Sequence, residues 1–125
     1  MLKGEENRRF VRVLLDIPCK FSLQDNLKEK IEGKIIDLSI SGISLETEKE
    51  ISVGENLNFY LSLSEGLNCE FVGQITRKVK DNEYAIKIVE IKESARNKLG
   101  DFIINYLEEQ NRIIKLFMQV KRSEK

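Results

Sequence analysis

The stretch that decides the fold is Asp37-Leu38-Ser39-Ile40-Ser41-Gly42, a polar segment between two apolar runs with the pattern of strands. Asp and Ser side chains bond local backbone N–H groups, and Gly adopts positive φ freely, so the segment predicts a tight turn. Upstream, Arg8-Arg9-Phe10-Val11-Arg12 places several guanidinium groups just before the first strand. We expect the two stretches to meet in space around an anionic ligand.

Alternating apolar residues surround this turn. The run from Val13 to Leu23 has six apolar residues on one parity, which indicates a half-buried strand. Pro18, on the other parity, favours a strand edge or a bulge. Five further strand-like runs follow at about 28–37, 43–45, 57–63, 67–79 and 84–88, with a bulge at Gly33 and a bend at Gly73. Six short antiparallel strands predict a closed barrel, which has no exposed sheet edge.

After the strands the apolar period changes from two to about 3.6. Ser94 is a suitable N-cap, and an apolar stripe predicts a helix over residues 95–120. This helix would be ~39 Å long at ~1.5 Å per residue, whereas a six-residue strand spans only ~20 Å. The sequence therefore predicts a flexible N-terminal arm (1–9), a β-barrel (10–92) and a C-terminal helix (93–125) that packs on the barrel and is longer than it.

Composition excludes several classes of function. The 125 residues contain 21 basic and 21 acidic side chains, and this zero net charge argues against a protein that coats nucleic acid. The absence of histidine removes His-dependent catalysis, His-ligated metals and His pH switches. We expect no metal site and two buried, reduced cysteines. No apolar run is long enough to span a bilayer and the start lacks a signal-peptide core, so we expect a cytoplasmic protein without membrane insertion.

The two motifs offer complementary chemistry. A guanidinium group is planar and permanently charged; it binds phosphate oxygens or the O6/N7 edge of guanine, and it stacks on purines. Asp37 offers a carboxylate acceptor for guanine N–H groups, Ser39 offers a hydroxyl, and Gly42 allows close backbone approach. Either motif alone is unspecific. Together, on strands of one small barrel, they predict a site for a guanine nucleotide.

Arg8-x-x-x-Arg12 followed by Asp37-x-Ser39-x-x-Gly42, four more strands and a terminal helix resembles the PilZ domain family. The resemblance covers residues 8–110 and implies a six-stranded antiparallel barrel that binds the bacterial second messenger cyclic di-GMP. It also implies the ligand-binding residues, which are Arg8, Arg12, Asp37, Ser39 and Gly42, with Arg9 as a helper. The arginines would lie on an arm that becomes ordered around the ligand. Ala85 departs from the family, since many members have Gly in the sixth strand.

The leading hypothesis is therefore a non-enzymatic cyclic di-GMP receptor that signals to an unknown protein effector. The alternative is a PilZ-like structural module with weak or no nucleotide binding, which forms homo-oligomers through the C-terminal helix. Ile113, Ile114, Leu116, Phe117 and Val120 would then lie beyond the barrel. A barrel that binds RNA or single-stranded DNA is disfavoured, because Phe59, Phe71 and Tyr84 lie on the core parity rather than among exposed basic residues.

Overall fold

Six strands and one helix make up the protein. The computed structural model describes residues 13–64 and 66–123, without the side chains of 119–123. The strands are β1 (Val13–Leu23), β2 (Asn26–Leu38), β3 (Gly42–Glu46), β4 (Asn56–Ser64), β5 (Leu67–Lys80) and β6 (Glu83–Ile91). The helix is α1 (Glu93–Ser123). The predicted N-terminal arm lies outside the described residues.

The strands form a closed barrel in the order β1-β2-β3-β6-β5-β4. Every neighbouring pair is antiparallel, and the pairing of β1 with β4 closes the sheet. Closure pairs the second half of β1 with β4, which removes most of the edge that a short antiparallel sheet would otherwise expose. The predicted fold, a six-stranded antiparallel barrel followed by a long helix, is confirmed.

Aromatic rings fill the centre of the barrel. The ring of Phe59 lies 5.7 Å from that of Phe21 and 5.1 Å from that of Phe71, measured between centroids, and all three side chains are buried. Tyr84 is also buried, and its hydroxyl accepts a hydrogen bond from the backbone N–H of Ile51 at 3.3 Å. These rings are therefore core residues, as predicted, and present no surface on which exposed bases could stack.

The core leaves no room for a side chain at either Gly33 or Gly73, but only Gly73 adjoins a shift in strand register. The predicted bulge at Gly33 is wrong, because β1 and β2 pair without interruption from Pro18–Lys34 to Phe21–Ile31. Gly33 is needed for packing instead, since a Cβ there would lie 2.8 Å from Leu45 Cδ1. The predicted bend at Gly73 coincides with a register shift between β5 and β6.

The first half of β1 has only one strand neighbour. Pairing with β4 extends from Cys19 to Leu23, so Pro18 lies just outside it and has a strand neighbour, β2, on one side only. The helix reaches this open half, because the hydroxyl of Tyr106 donates a hydrogen bond to the backbone carbonyl of Leu14 at 2.9 Å. The helix thus ties the start of β1 to the barrel.

The first half of α1 packs against the barrel through Leu99 and Ile103, both buried. Ser94 is not the N-cap: the helix begins at Glu93, and the N–H of Arg96 donates to the carbonyl of Lys92 at 2.9 Å. A carboxylate at Glu93 complements the positive end of the helix dipole, so it favours this earlier start. No helix in the described ranges, 13–64 and 66–123, has an apolar stretch long enough to cross a membrane.

We expect opposite effects on stability from alanine at two glycines. A Cβ at Gly73 would lie 2.5 Å from Ile86 Cγ2 and 3.0 Å from Phe59 Cε2, so Gly73→Ala should destabilise the barrel by about 1–3 kcal/mol. A Cβ at Gly100 meets only Ile40 Cδ1, at 3.5 Å, so Gly100→Ala should stabilise the helix by up to about 1 kcal/mol. Urea unfolding followed by circular dichroism measures both; equal signs would contradict this account of the packing.

Candidate functional site

The turn between β2 and β3 is built on the hydroxyl of Ser39. This oxygen accepts hydrogen bonds from the backbone N–H groups of Ser41 (3.3 Å) and Gly42 (3.1 Å). It lies 3.1 Å from the carbonyl oxygen of Gly42 and 3.2 Å from the hydroxyl of Ser41, either of which can take its proton. The backbone N–H of Ser39 also donates to the carbonyl of Gly42 at 2.9 Å.

Ser39 is fully buried, and these contacts occupy its bonding capacity. A hydroxyl has one proton to donate and two lone pairs with which to accept. Both lone pairs are used by the two N–H groups, and the proton has an acceptor inside the turn. Ser39 therefore shapes the turn, and the neighbouring Ser41, which is only half-buried, presents the more accessible hydroxyl.

Gly42 lets β3 lie against β6. A Cβ at this position would lie 2.6 Å from the carbonyl oxygen of Ile86, closer than real Cβ atoms come to backbone oxygen. Gly42 is paired with Lys87 of β6, and the backbone N–H of Ile88 donates to the carbonyl of Ser41 at 3.0 Å. The glycine thus joins the turn to the sixth strand, on the side where the barrel has an open groove.

Asp37 lies at the end of β2, half-buried, and faces the same groove. It is paired with Leu14 of β1 on one side and with Ser44 of β3 on the other. Val13, the first described residue, is paired with Leu38. The chain therefore enters the barrel directly beside Asp37 and the Ser39 turn.

The groove is open and has a volume of about 1110 Å³, at the upper end of the range for small-molecule sites, ~300–1,000 Å³. Its floor is made by β3, β5 and β6, and Arg96 contributes from α1. Six charged side chains line it, three basic and three acidic: Arg77, Lys87, Arg96, Asp37, Glu83 and Glu90. The described part of the groove therefore carries no excess of positive charge.

The structure brings three of the predicted site residues together, which are Asp37, Ser39 and Gly42. Arg8, Arg9 and Arg12 lie outside the described residues. The sequence analysis missed the basic residues Arg77, Lys87 and Arg96. Lys87 could have been found only from the register that pairs it with Gly42, and that register is not visible in the sequence.

The two cysteines offer no nucleophile. Burial raises the pKa of the Cys19 thiol to about 12 and also raises that of Cys69. Both are free and buried, and both flank Leu61 as strand neighbours, so they lie about two strand spacings apart, ~9–10 Å, too far for a disulfide. Among the described residues, no cluster of three or more acidic or cysteine side chains could hold a metal ion.

A comparison with protein-family models matches residues 6–105 to the PilZ domain. The chain belongs to the PilZ domain family. The matched range includes all three predicted arginine positions and the Ser39 turn, as well as all six strands and the first part of α1. No curated protein gives a significant match to the sequence.

Solved PilZ structures have the same fold. The Escherichia coli YcgR structure in complex with c-di-GMP aligns with a TM-score of 0.70 at 15% identity over 88% of this chain. The isolated PilZ domain of Escherichia coli YcgR with c-di-GMP aligns with a TM-score of 0.64 at 21% identity over 86% of this chain and 96% of that domain. The inhibitor of motility MotI/DgrA of Bacillus subtilis gives 0.67 at 19% identity over 81% of this chain.

The chain spans about half the length of two of these relatives, since the alignments cover 52% of MotI/DgrA and 50% of the YcgR complex structure. At these identities the alignments establish the PilZ fold.

Two neighbouring serines should differ in their effect on the PilZ barrel. Ser39→Ala leaves buried N–H groups of the turn without an acceptor, so it should lower the free energy of unfolding by about 1–3 kcal/mol. Ser41→Ala removes only a half-exposed hydroxyl and should change it by less than about 0.5 kcal/mol. Urea titration compares the two variants. Equal losses would show that the Ser39 hydroxyl does not hold the turn.

Proposed function

We propose that this PilZ domain is a non-enzymatic receptor for cyclic di-GMP, which it binds between its N-terminal arginines and the turn at residues 37–42. The observation that carries the proposal is the position of β1: Val13 pairs with Leu38 and Leu14 pairs with Asp37. Arg12 is bonded to Val13, and Arg8 is five residues away, within ~17 Å of extended chain. The length of chain between Val13 and each arginine is therefore short enough for both side chains to reach the groove beside Asp37.

The charges of the groove and of the ligand support a role for the arginines in holding the phosphate groups. Cyclic di-GMP carries two phosphodiester groups and hence two negative charges. The groove's own lining has three basic and three acidic side chains, which gives it no surplus with which to hold a dianion. Arg8, Arg9 and Arg12 would supply that surplus, and a guanidinium forms charge-assisted, bidentate bonds with phosphate.

The turn would supply the selectivity for guanine. The carboxylate of Asp37, at the groove, accepts hydrogen bonds from N–H groups on the guanine edge, which adenine cannot present in the same pattern. Ser39 acts through the turn geometry, because its hydroxyl is fully engaged there. Gly42 keeps the backbone of β3 close to β6, so that the ligand reaches the floor of the groove.

Ligand binding would order the arm and thereby signal. A segment that becomes ordered when guanidinium groups find a phosphate is a common form of molecular switch. An effector protein would then recognise the ordered arm and the adjacent rim of the barrel. The proposal assigns no reaction, which agrees with the raised thiol pKa values of Cys19 and Cys69 and with the absence of histidine from the sequence.

Calorimetric titration with cyclic di-GMP tests the proposal. We expect saturable binding by the intact protein, with cyclic di-AMP and GTP binding much more weakly. Arg8→Ala, Arg12→Ala and Asp37→Ala should each weaken binding by about ten- to a hundred-fold, because each removes a charge-assisted hydrogen bond worth about 1.5–3 kcal/mol.

Matched controls lie at the far end of the barrel. Lys28→Ala and Glu29→Ala remove exposed charges near the β1–β2 turn and should leave the affinity unchanged. Circular dichroism checks that each variant keeps the fold. Absence of binding at ~100 μM ligand, which corresponds to less than about 5.5 kcal/mol of binding free energy, would contradict the proposal.

Hydrogen exchange tests the switch separately from the affinity. Without ligand, we expect fast exchange in residues 4–12 and protection of the turn at Ser39, whose backbone N–H is bonded to Gly42. Saturating cyclic di-GMP should slow exchange in residues 4–12 alone. If residues 4–12 were already protected in the free protein, ordering of the arm could not be the signal, even if the nucleotide bound.

A further inference from the structure

The second half of α1 presents apolar side chains to solvent. From Glu108 onward, every described side chain of the helix is exposed as far as Met118. Ile113, Ile114, Leu116, Phe117 and Met118 all belong to this segment and are at least half exposed. Five exposed apolar side chains within six consecutive residues of a helix are typical of an interaction site.

One row of these residues has the spacing of a coiled-coil seam. It consists of Ile104, Leu107, Asn111, Ile114 and Met118, whose intervals are three, four, three and four residues, and we call it the seam. The seam lies beside the row of Leu99 and Ile103, which hold the helix on the barrel, and its member Leu107 packs against the barrel core. Ile104, Ile114 and Met118 are 55%, 57% and 51% exposed. Three of the four apolar seam residues are therefore accessible to another molecule, and Leu107 lies where the seam meets the barrel.

Asn111 lies at the middle of the seam and is exposed. A single polar residue among the apolar positions of a coiled coil lowers its stability but fixes the register and the number of helices. Such a residue has no comparable use on a helix that lies in lipid. Its position indicates a partner that also presents a polar group at the centre of its seam, which a second copy does.

Charge determines the direction of pairing. Glu108 precedes Asn111 by three residues and Lys115 follows it by four, and the two charged residues flank the seam on the same side. In an antiparallel pair of helices with a two-fold axis near Asn111, Glu108 of each copy lies opposite Lys115 of the other copy. Parallel helices would instead leave Glu108 and Lys115 about 10 Å apart along the axis, at ~1.5 Å per residue. The antiparallel arrangement also places the two barrels at opposite ends of the helix pair.

A membrane surface fits this segment less well. Residues 108–118 contain two acidic and two basic side chains, Glu108, Glu109, Arg112 and Lys115. Glu109 and Arg112 are paired with each other within the helix. Helices that lie on anionic membranes instead carry an excess of Lys and Arg on the polar face. The balanced charge favours a partner with the same balance.

We propose that the protein self-associates through α1, which pairs with the α1 of a second copy in an antiparallel coiled coil centred on Asn111. The seam residues of the two helices interlock, and Glu108 of each copy binds Lys115 of the other. This interface is separate from the groove, so it forms without nucleotide.

Sedimentation equilibrium of the full chain in nucleotide-free buffer tests the interface. The intact protein should be a dimer. Ile114→Lys should raise the dissociation constant by about a hundred-fold or more, because the interface buries two copies of Ile114, worth about 1.5–3 kcal/mol each. The control is Val53→Lys, which changes a 61% exposed valine in the loop before β4 and should leave the dimer intact. A monomeric intact protein, or a dimer that Ile114→Lys leaves unchanged, would overturn the proposal.

Charge reversal tests the direction of the helices. Glu108→Lys and Lys115→Glu should each weaken the dimer, and the double variant Glu108→Lys/Lys115→Glu should restore it, because each exchanged pair is again of opposite sign. Failure of the double variant to recover would overturn the antiparallel arrangement. Asn111→Leu should tighten association and yield more than one oligomeric state. Sedimentation of a monomer with phosphatidylglycerol vesicles would assign the apolar face to lipid and overturn the proposal.

Discussion

The buried hydroxyl of Ser39 is the interaction on which the functional end of the barrel depends. It takes two backbone N–H groups of its own turn, and so fixes the path of the chain from β2 into β3. That path brings Gly42 within contact of the Ile86 carbonyl, which allows β3 to pair with β6. Without the β3–β6 pairing the barrel would not close and the groove would have no floor. A short polar turn thus has consequences for the whole sheet.

The first half of the helix contacts the same end of the barrel, and the second half of the helix is exposed to solvent. Its first half touches the turn, since Ile40 lies against Gly100, and it also holds the start of β1 through the bond from Tyr106 to Leu14. Arg96 of the same helix lines the groove. From Glu108 to Met118 the described side chains of the helix are exposed, the apolar ones included. The proposed binding at the groove and the proposed association through the second half of the helix would therefore use different surfaces of the protein.

Local patterns predicted the elements well, because strand parity and helix period follow from burial of one face. Phe21, Phe59 and Phe71 share the core, as their parity indicated. Glycine was harder to interpret. Gly33 and Gly73 look alike in the sequence, yet only Gly73 adjoins a register shift, while Gly33 makes room for Leu45. The start of α1 was placed two residues too late, at residue 95 instead of Glu93, because Ser94 and Glu93 both favour a helix start, by a cap and by the dipole respectively.

The sequence by itself determined the six strands, the long helix, the core aromatic residues and the turn at Asp37–Gly42, because each depends on neighbours within a few residues along the chain. Only the tertiary structure decided that the hydrogen-bonding capacity of the Ser39 hydroxyl is used within its own turn. It also decided that three basic side chains, those of Arg77, Lys87 and Arg96, line the same groove as Asp37. Finally, it decided that Ile114 and Met118 of the helix are exposed. These outcomes depend on the register between strands far apart in sequence and on where the barrel ends beneath the helix. Both are set by closure of the whole sheet, which no local pattern encodes.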